Sequence, residues 1–286
     1  LKLDLRTLGL LGAMALGAAV PGLHAGIFLV RPAVMLMLFL AFFGMSSQRA
    51  IVHPVHFRLL VAGPLLALLV FMLLAPCDRT LAVAGALVAL TPSATASPVV
   101  TALLGGNAGW VAFAVLLTNS VQPFLIAFVL PRACGGSPVL DWNAPLSTLV
   151  TLAVPATLAL AGRRWLPDRA RAAILARRAW SFWLWLAVLT VAMAGASDFL
   201  RHSSMGWLRA LEIAGLSLGL CVAMFALGRR LGGREFALEA SQALGQKNTM
   251  FALWFAMAHL SPEIALAPAA YVLWHNLWNA WQLQKR

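Results

Sequence analysis

Ten stretches of roughly twenty apolar residues, joined by short polar connections, run the length of the chain and leave it one environment to fold in. About 20 apolar residues make a helix that crosses ~30 Å of hydrocarbon. The stretches fall at 8–23, 27–45, 57–75, 81–104, 108–130, 145–161, 180–196, 207–227, 236–258 and 264–281. Hydrophobic residues make up 62% of the 286 and charged ones 10%, and a soluble domain of that size has too little interior to hide so much apolar surface. The reading is an all-α membrane protein forming one transmembrane domain. The first stretch also has a signal-peptide alternative, since Lys2 and Arg6 precede an apolar run ending near His24-Ala25-Gly26; losing it would leave nine spans, and it is kept as a membrane helix.

The net charge of +12 would suggest nucleic acid in a soluble chain, but here the arginines cluster between apolar stretches without interleaved aromatics. They read as topology signals, because Lys and Arg are retained on the cytoplasmic side of short loops. With the N-terminus inside, the inner set is Lys2, Arg6, Arg49, Arg58, Arg163, Arg164, Arg169, Arg171, Arg177, Arg178, Arg229, Arg230, Arg234, Lys285 and Arg286, fifteen of the 21. The outer set is Arg31, Arg79, Arg132, Arg201 and Arg209, and Lys247 lies within a span. This predicts a multi-pass inner-membrane protein with both termini cytoplasmic. The connector 167–178, with four arginines beside an apolar stripe, is expected to lie on the anionic cytoplasmic leaflet.

Ten spans divide near residue 140 into two sets of five, a first repeat over about 1–140 and a second over about 141–286. Five crossings per set give the two sets opposite orientations, hence an inverted repeat. In such carriers the site lies near the midplane, where one helix of each half is broken by Gly, Pro or polar residues. The fourth stretch has Thr91-Pro92-Ser93-Ala94-Thr95-Ala96-Ser97-Pro98 and the ninth has Ser241-Gln242-Ala243-Leu244-Gly245-Gln246-Lys247-Asn248-Thr249, at corresponding positions. Unwinding bares N–H groups at the start of each second half-helix, where the dipole also favours an anion. Pro98 suits a first helical turn and Thr95 and Ser97 can cap it. A kink in a packed helix is the plainer alternative. The candidate substrate-binding residues are Thr95, Ser97, Pro98, Asn119, Asn248, Thr249 and His275.

Thr95-Ala96-Ser97-Pro98-Val99-Val100-Thr101 followed by Gly106-Asn107 resembles the fourth-helix motif of the bile acid:sodium symporter family. Gly245-Gln246-Lys247-Asn248-Thr249 is similar to its ninth-helix crossover and Trp274-His275-Asn276 to its tenth-helix motif. The resemblance implies a core domain with crossing fourth and ninth helices, a panel domain packed against it, and alternating access by movement between the two. It also implies two sodium ions, yet this chain departs from that ligand set. Pro98 stands where the family has Asn, Val111 and Val115 where it has hydroxyls, Ala243 where it has an acid, and Lys247 where it has a sodium-binding Gln. A hard cation needs several oxygens, so the expectation is a divergent member without sodium coupling, and no metal or cofactor.

Lys247 is the charge partner in this reading, because a mid-span Lys costs at least ~2.5–3.5 kcal/mol on insertion scales. It serves either as a permanent charge compensating the substrate, giving uniport or exchange, or as a group that loads and unloads a proton. A structural ion pair with Glu239 is the bland alternative. Asn119 and Gln122 can line a cavity or bond between helices, Asn276 accompanies His275, and Glu212 faces either the pocket or a neighbouring helix. Cys77, Cys134 and Cys221 have no metal spacing, and only the first two are placed to pair. No Ser-His-Asp pattern, phosphate loop or metalloprotease motif appears, so an enzyme is not indicated. The expected function is secondary transport of a small organic anion; the alternatives are a non-transporting membrane sensor on the same fold and a symporter with a displaced sodium site.

Overall fold

The computed structural model describes residues 5–44, 52–137, 143–202 and 206–285, which are all-helical with no strand among them. In chain order the helices are α1 (Leu5–Ala19), a 3-10 run (Pro21–Leu29) leading into α2 (Val30–Phe43), α3 (Val55–Leu74), α4 (Arg79–Leu90), α5 (Ser97–Leu103), α6 (Ala108–Ala133) and α7 (Asn143–Trp165). There follow α8 (Asp168–Ala176), α9 (Trp180–His202), α10 (Trp207–Gly232), α11 (Ala237–Gly245), α12 (Thr249–His259) and α13 (Pro262–Gln284). Of the arginines and lysines assigned a side from sequence, Lys2, Arg49 and Arg286 lie outside the described residues.

Among the described residues, five helical segments rather than the expected ten are long and apolar enough to cross a membrane: Pro21–Phe43, Val55–Leu74, Ala108–Ala133, Trp180–Phe199 and Trp207–Gly232. Their outward faces match lipid rather than water. Along α3, Leu65, Leu68, Met72 and Leu73 are each more than half exposed, an apolar stripe that would drive aggregation in water. Trp165, Trp180, Trp183 and Trp207 stand exposed at helix ends, where amphipathic rings sit at headgroup level.

Local chemistry explains where the helices stop. Asp78 caps α4 by accepting from the Leu81 N–H at 2.8 Å, and Asn107 and Ser261 do the same for α6 and α13. Helix α4 ends at Thr91, whose backbone turns extended (ψ 133°) because Pro92 disfavours helical geometry in the residue before it. Helix α5 closes through Gly105, which takes φ +71° so that the Gly106 N–H reaches the Thr101 carbonyl at 2.8 Å. Each apolar stretch with a polar break is therefore divided into two short helices, α4 with α5 and α11 with α12.

The helices pack in two groups. The chain runs α1 against α9 and α2 against α7, with the 3-10 run beside α9; α3, α4, α6, α10, α11, α12 and α13 pack on one another. Close backbone approach occurs in both groups: a Cβ added at Gly17 of α1 would lie 2.3 Å from the Thr190 carbonyl oxygen of α9, and one at Gly228 of α10 would lie 2.4 Å from the Ala240 carbonyl oxygen of α11. At one end of the second group Arg209 joins three acids, Asp78 at 2.6 Å, Glu212 at 3.0 Å and Glu263 at 2.5 Å, tying α4, α10 and α13 together. Glu212 thus pairs with Arg209 on its own helix and does not line the cavity described below. The guanidinium also holds the Asp78 carboxyl below its ordinary range.

A depressed carboxyl stabilises the fold above its unfolded pKa and loses that contribution as pH falls through the folded value. Replacing Arg209 by Gln should therefore lower the detergent-solubilised protein's melting stability by about 1 kcal/mol near neutrality, and the gap to the native chain should close below pH ~4. Thermal melts of both proteins across that range check this.

Candidate functional site

The two broken stretches cross each other. Ser93 and Lys247 form an antiparallel bridge, with the Ala94 N–H donating to the Gln246 carbonyl at 2.9 Å and the Asn248 N–H to the Pro92 carbonyl at 2.8 Å. Unwound backbone has no water to bond inside a bilayer, so each break supplies the partners the other has lost. Flanking helices complete the accounting. On one side α6 offers the Thr118 hydroxyl to the Ser93 N–H at 3.2 Å, and the Asn119 amide donates to the Ser93 carbonyl at 2.8 Å. On the other side the Tyr271 hydroxyl of α13 donates to the Gly245 carbonyl at 2.8 Å. The Ser93 hydroxyl donates to the Ala243 carbonyl.

Lys247 occupies the centre of this crossing and is 2% exposed. Its ammonium donates to the carbonyls of Ala89 at 3.1 Å and Thr91 at 2.9 Å, the C-terminal end of α4. Those carbonyls have no intrahelical partner, and the negative end of the helix dipole lies there, so the Lys247 amine caps the end of the half-helix. Among the described residues Lys247 makes no ion pair with an acid. Glu239, the acid nearest in sequence, instead accepts from the Asn107 N–H at 2.8 Å, closing α11 against the start of α6.

A cavity of about 120 Å³ opens beside the crossing. One wall comes from both breaks, including Thr95, Gln246, Lys247, Asn248 and Thr249; α13 adds His275 and Asn276, and the opposite wall is apolar surface of α2, α9 and the 3-10 run. The Asn248 side chain also caps α12, accepting from the Phe251 N–H at 3.3 Å, which aims the first turn of α12 at the cavity. Chemically the arrangement offers a helix N-terminus, amides, a hydroxyl and the Lys247 amine in the wall, a set suited to a small anion.

Of the residues singled out from sequence, Thr95, Asn248, Thr249, His275 and Lys247 come together around this cavity. Ser97 and Pro98 do not line it; they are buried in the first turn of α5. The Ala96 backbone is already helical (φ −81°, ψ −12°), so α5 starts without the extended N-cap that a side-chain cap requires, and neither Thr95 nor Ser97 caps it. Asn119 sits behind the crossing as a buttress, and its Oδ1 lies 3.5 Å from the Asn248 amide nitrogen. Gln122, further along α6, is buried with neither amide atom partnered among the described residues. Cys77, Cys134 and Cys221 are free thiols.

The structure adds a polar stripe that the motif-centred reading passed over. The Gln246 amide donates to Gln242 and the Gln242 amide to Gln282, so carboxamides lead from the cavity along α11 to the end of α13. Asn279, one turn beyond His275 and Asn276, is fully buried with both amide atoms unpartnered among the described residues. The sequence signal was available: Gln242 to Gln246 and Asn276 to Asn279 to Gln282 are polar at helical spacing within apolar helices. Compared with models of known protein families and with curated proteins, the chain matches none.

A buried amide without partners costs stability that an apolar side chain of similar size does not. Asn279→Leu should therefore raise thermal stability by about 1 kcal/mol or more. Melting curves of the purified variant check this: a fall in stability would show that Asn279 is internally satisfied.

Proposed function

We propose that the protein is a secondary transporter of a small carboxylate-bearing anion, working by alternating access in the inner membrane without sodium, with Lys247 as its built-in cation. The observation carrying this reading is the ammonium of Lys247 fixed on the Ala89 and Thr91 carbonyls at the crossing of two broken helices, beside a cavity walled by both. Irregular backbone at membrane depth is tolerated where it lines such a cavity, and it is where carriers bind their cargo.

In this reading the chain has ten spans in two inverted five-helix repeats. The first comprises α1, α2, α3, the α4/α5 pair and α6; the second comprises α7, α9, α10, the α11/α12 pair and α13. Corresponding contacts support the pairing. Helix α3 packs on α4 as α10 packs on α11, and α5 on α6 as α12 on α13. Asn107 caps α6 as Ser261 caps α13, and the first break is buttressed by Asn119 of α6 as the second is by Tyr271 of α13. The group containing α1, α2, α7 and α9 then serves as the panel and the remaining helices as the core, with the cavity at their seam. The arginine bias puts both termini in the cytoplasm.

The resemblance to the bile acid:sodium symporter family gives the charge logic. Where such carriers bring in metal ions to offset an anion, a lysine that never leaves removes the need for the metal and leaves uniport, exchange or proton coupling. The substrate's charge would be met by the Lys247 ammonium and by the first turn of α12.

Counterflow of labelled small carboxylates in proteoliposomes tests this. The native chain should exchange at least one of them at the same rate with sodium or with choline outside, and Lys247→Gln should slow it by about tenfold or more, the factor for ~1.4 kcal/mol. Binding without exchange would instead identify a membrane sensor on this fold, and a strict sodium requirement would identify a symporter with a displaced metal site.

A further inference from the structure

The two walls of the cavity at the crossing differ in kind, and its size is small. The volume is about 120 Å³. An apolar protein cavity of about 150 Å³ holds benzene, so this one has room for roughly five or six non-hydrogen atoms. A carboxylate group takes up three of them, which leaves space for a tail of about one to three carbons.

The polar wall suits a charged end. There the first turn of α12, capped by Asn248 and followed by Thr249, borders the cavity together with Lys247, and a helix N-terminus favours an anion. His275 stands on the same wall, 7% exposed, and its Nδ1 has no hydrogen-bond partner among the described residues. An unpaired polar ring on a cavity wall is accounted for by a ligand that supplies the partner. The opposite wall suits the other end. Ile27, Val34, Trp185, Val188 and Ala192 meet the cavity from the 3-10 run, α2 and α9, and among the described residues no charged side chain joins them on that wall. A second carboxylate lying there would be buried without a partner, which is costly, whereas methylenes gain from the same surroundings.

We infer that the cargo is a short-chain monocarboxylate of about two to four carbons, its carboxylate at the first turn of α12 and its alkyl tail against α2 and α9. Dicarboxylates are excluded by charge and long-chain or bulky acids by volume, a narrowing that rests on the transport reading of the same site.

Counterflow of labelled propionate in proteoliposomes of the full chain, with unlabelled acids as competitors, tests this alongside ligand-induced thermal shifts of the purified protein with the same acids. Acetate, propionate and butyrate should compete and bind, and succinate and octanoate should do so at least ~50-fold more weakly. Ala192→Leu, which fills the apolar end, should move the preference from butyrate towards acetate by about tenfold, and Val34→Ala, which widens it, should move the preference towards pentanoate by about the same factor. Should these variants fail to fold, the competitor series on the native protein decides alone. The expected order in binding without any exchange would keep the short-chain assignment and overturn the transport reading. Exchange of succinate or octanoate as readily as propionate would overturn the short-chain assignment and leave transport standing. Failure of all three short acids to bind, or an unchanged chain-length order in both folded variants, would also overturn it.

Discussion

Two stretches of backbone lose their helical hydrogen bonds at the same depth in the molecule, and each is held by the other. The Ser93–Lys247 bridge, with donations from Ala94 to Gln246 and from Asn248 to Pro92, is the constraint on which the rest of the structure depends. Without it, the Ala94 and Asn248 N–H groups and the Gln246 and Pro92 carbonyls would be left unpaired in an apolar interior, at a cost of several kcal/mol per group in hydrocarbon. With it, four half-helix ends are brought to one place. Helices α6 and α13 are then needed as buttresses, which is why Thr118, Asn119 and Tyr271, polar residues within apolar helices, are buried against carbonyls and amides of the breaks.

Lys247 adds the electrostatic part. An ammonium that donates to Ala89 and Thr91 meets the negative end of α4, so the half-helix can terminate inside the protein without water. The same placement makes the cation part of the wall rather than a mobile ligand, and the positive first turn of α12 opens on the same cavity. Elsewhere Arg209 gathers Asp78, Glu212 and Glu263 at one end, Glu239 is buried against the start of α6, and Arg163 and Arg164 fall in the last turn of α7.

Much of this was legible in the sequence, and the limits have physical reasons. Apolar length located the five described segments long enough to cross a membrane, because hydrocarbon thickness fixes it, and the polar runs at 91–98 and 241–249 marked the breaks. Lys247 was legible as an anomaly. Its partners were not, since carbonyl oxygens of Ala89 and Thr91 have no side-chain signature, and Glu239 was the visible candidate although it closes on Asn107 instead. Ser97 and Pro98 looked like cavity residues from their place in the motif, but α5 begins at Ser97 and turns both inward. Gln242 and Gln246 were visible as part of the ninth-stretch break, whereas Asn279 and Gln282 were passed over although they follow Asn276 at helical spacing, because one polar residue per turn stands out little in an apolar helix.

The central claim is that a lysine ammonium is the resident cation of the crossing. A cryo-electron microscopy map of the protein in lipid nanodiscs, prepared without sodium and resolving side chains at the crossing, tests it most directly. The account predicts density for Lys247 reaching the Ala89 and Thr91 carbonyls while the Ser93–Lys247 bridge stays closed. Density turning towards the acyl chains or meeting the Glu239 carboxylate would contradict it.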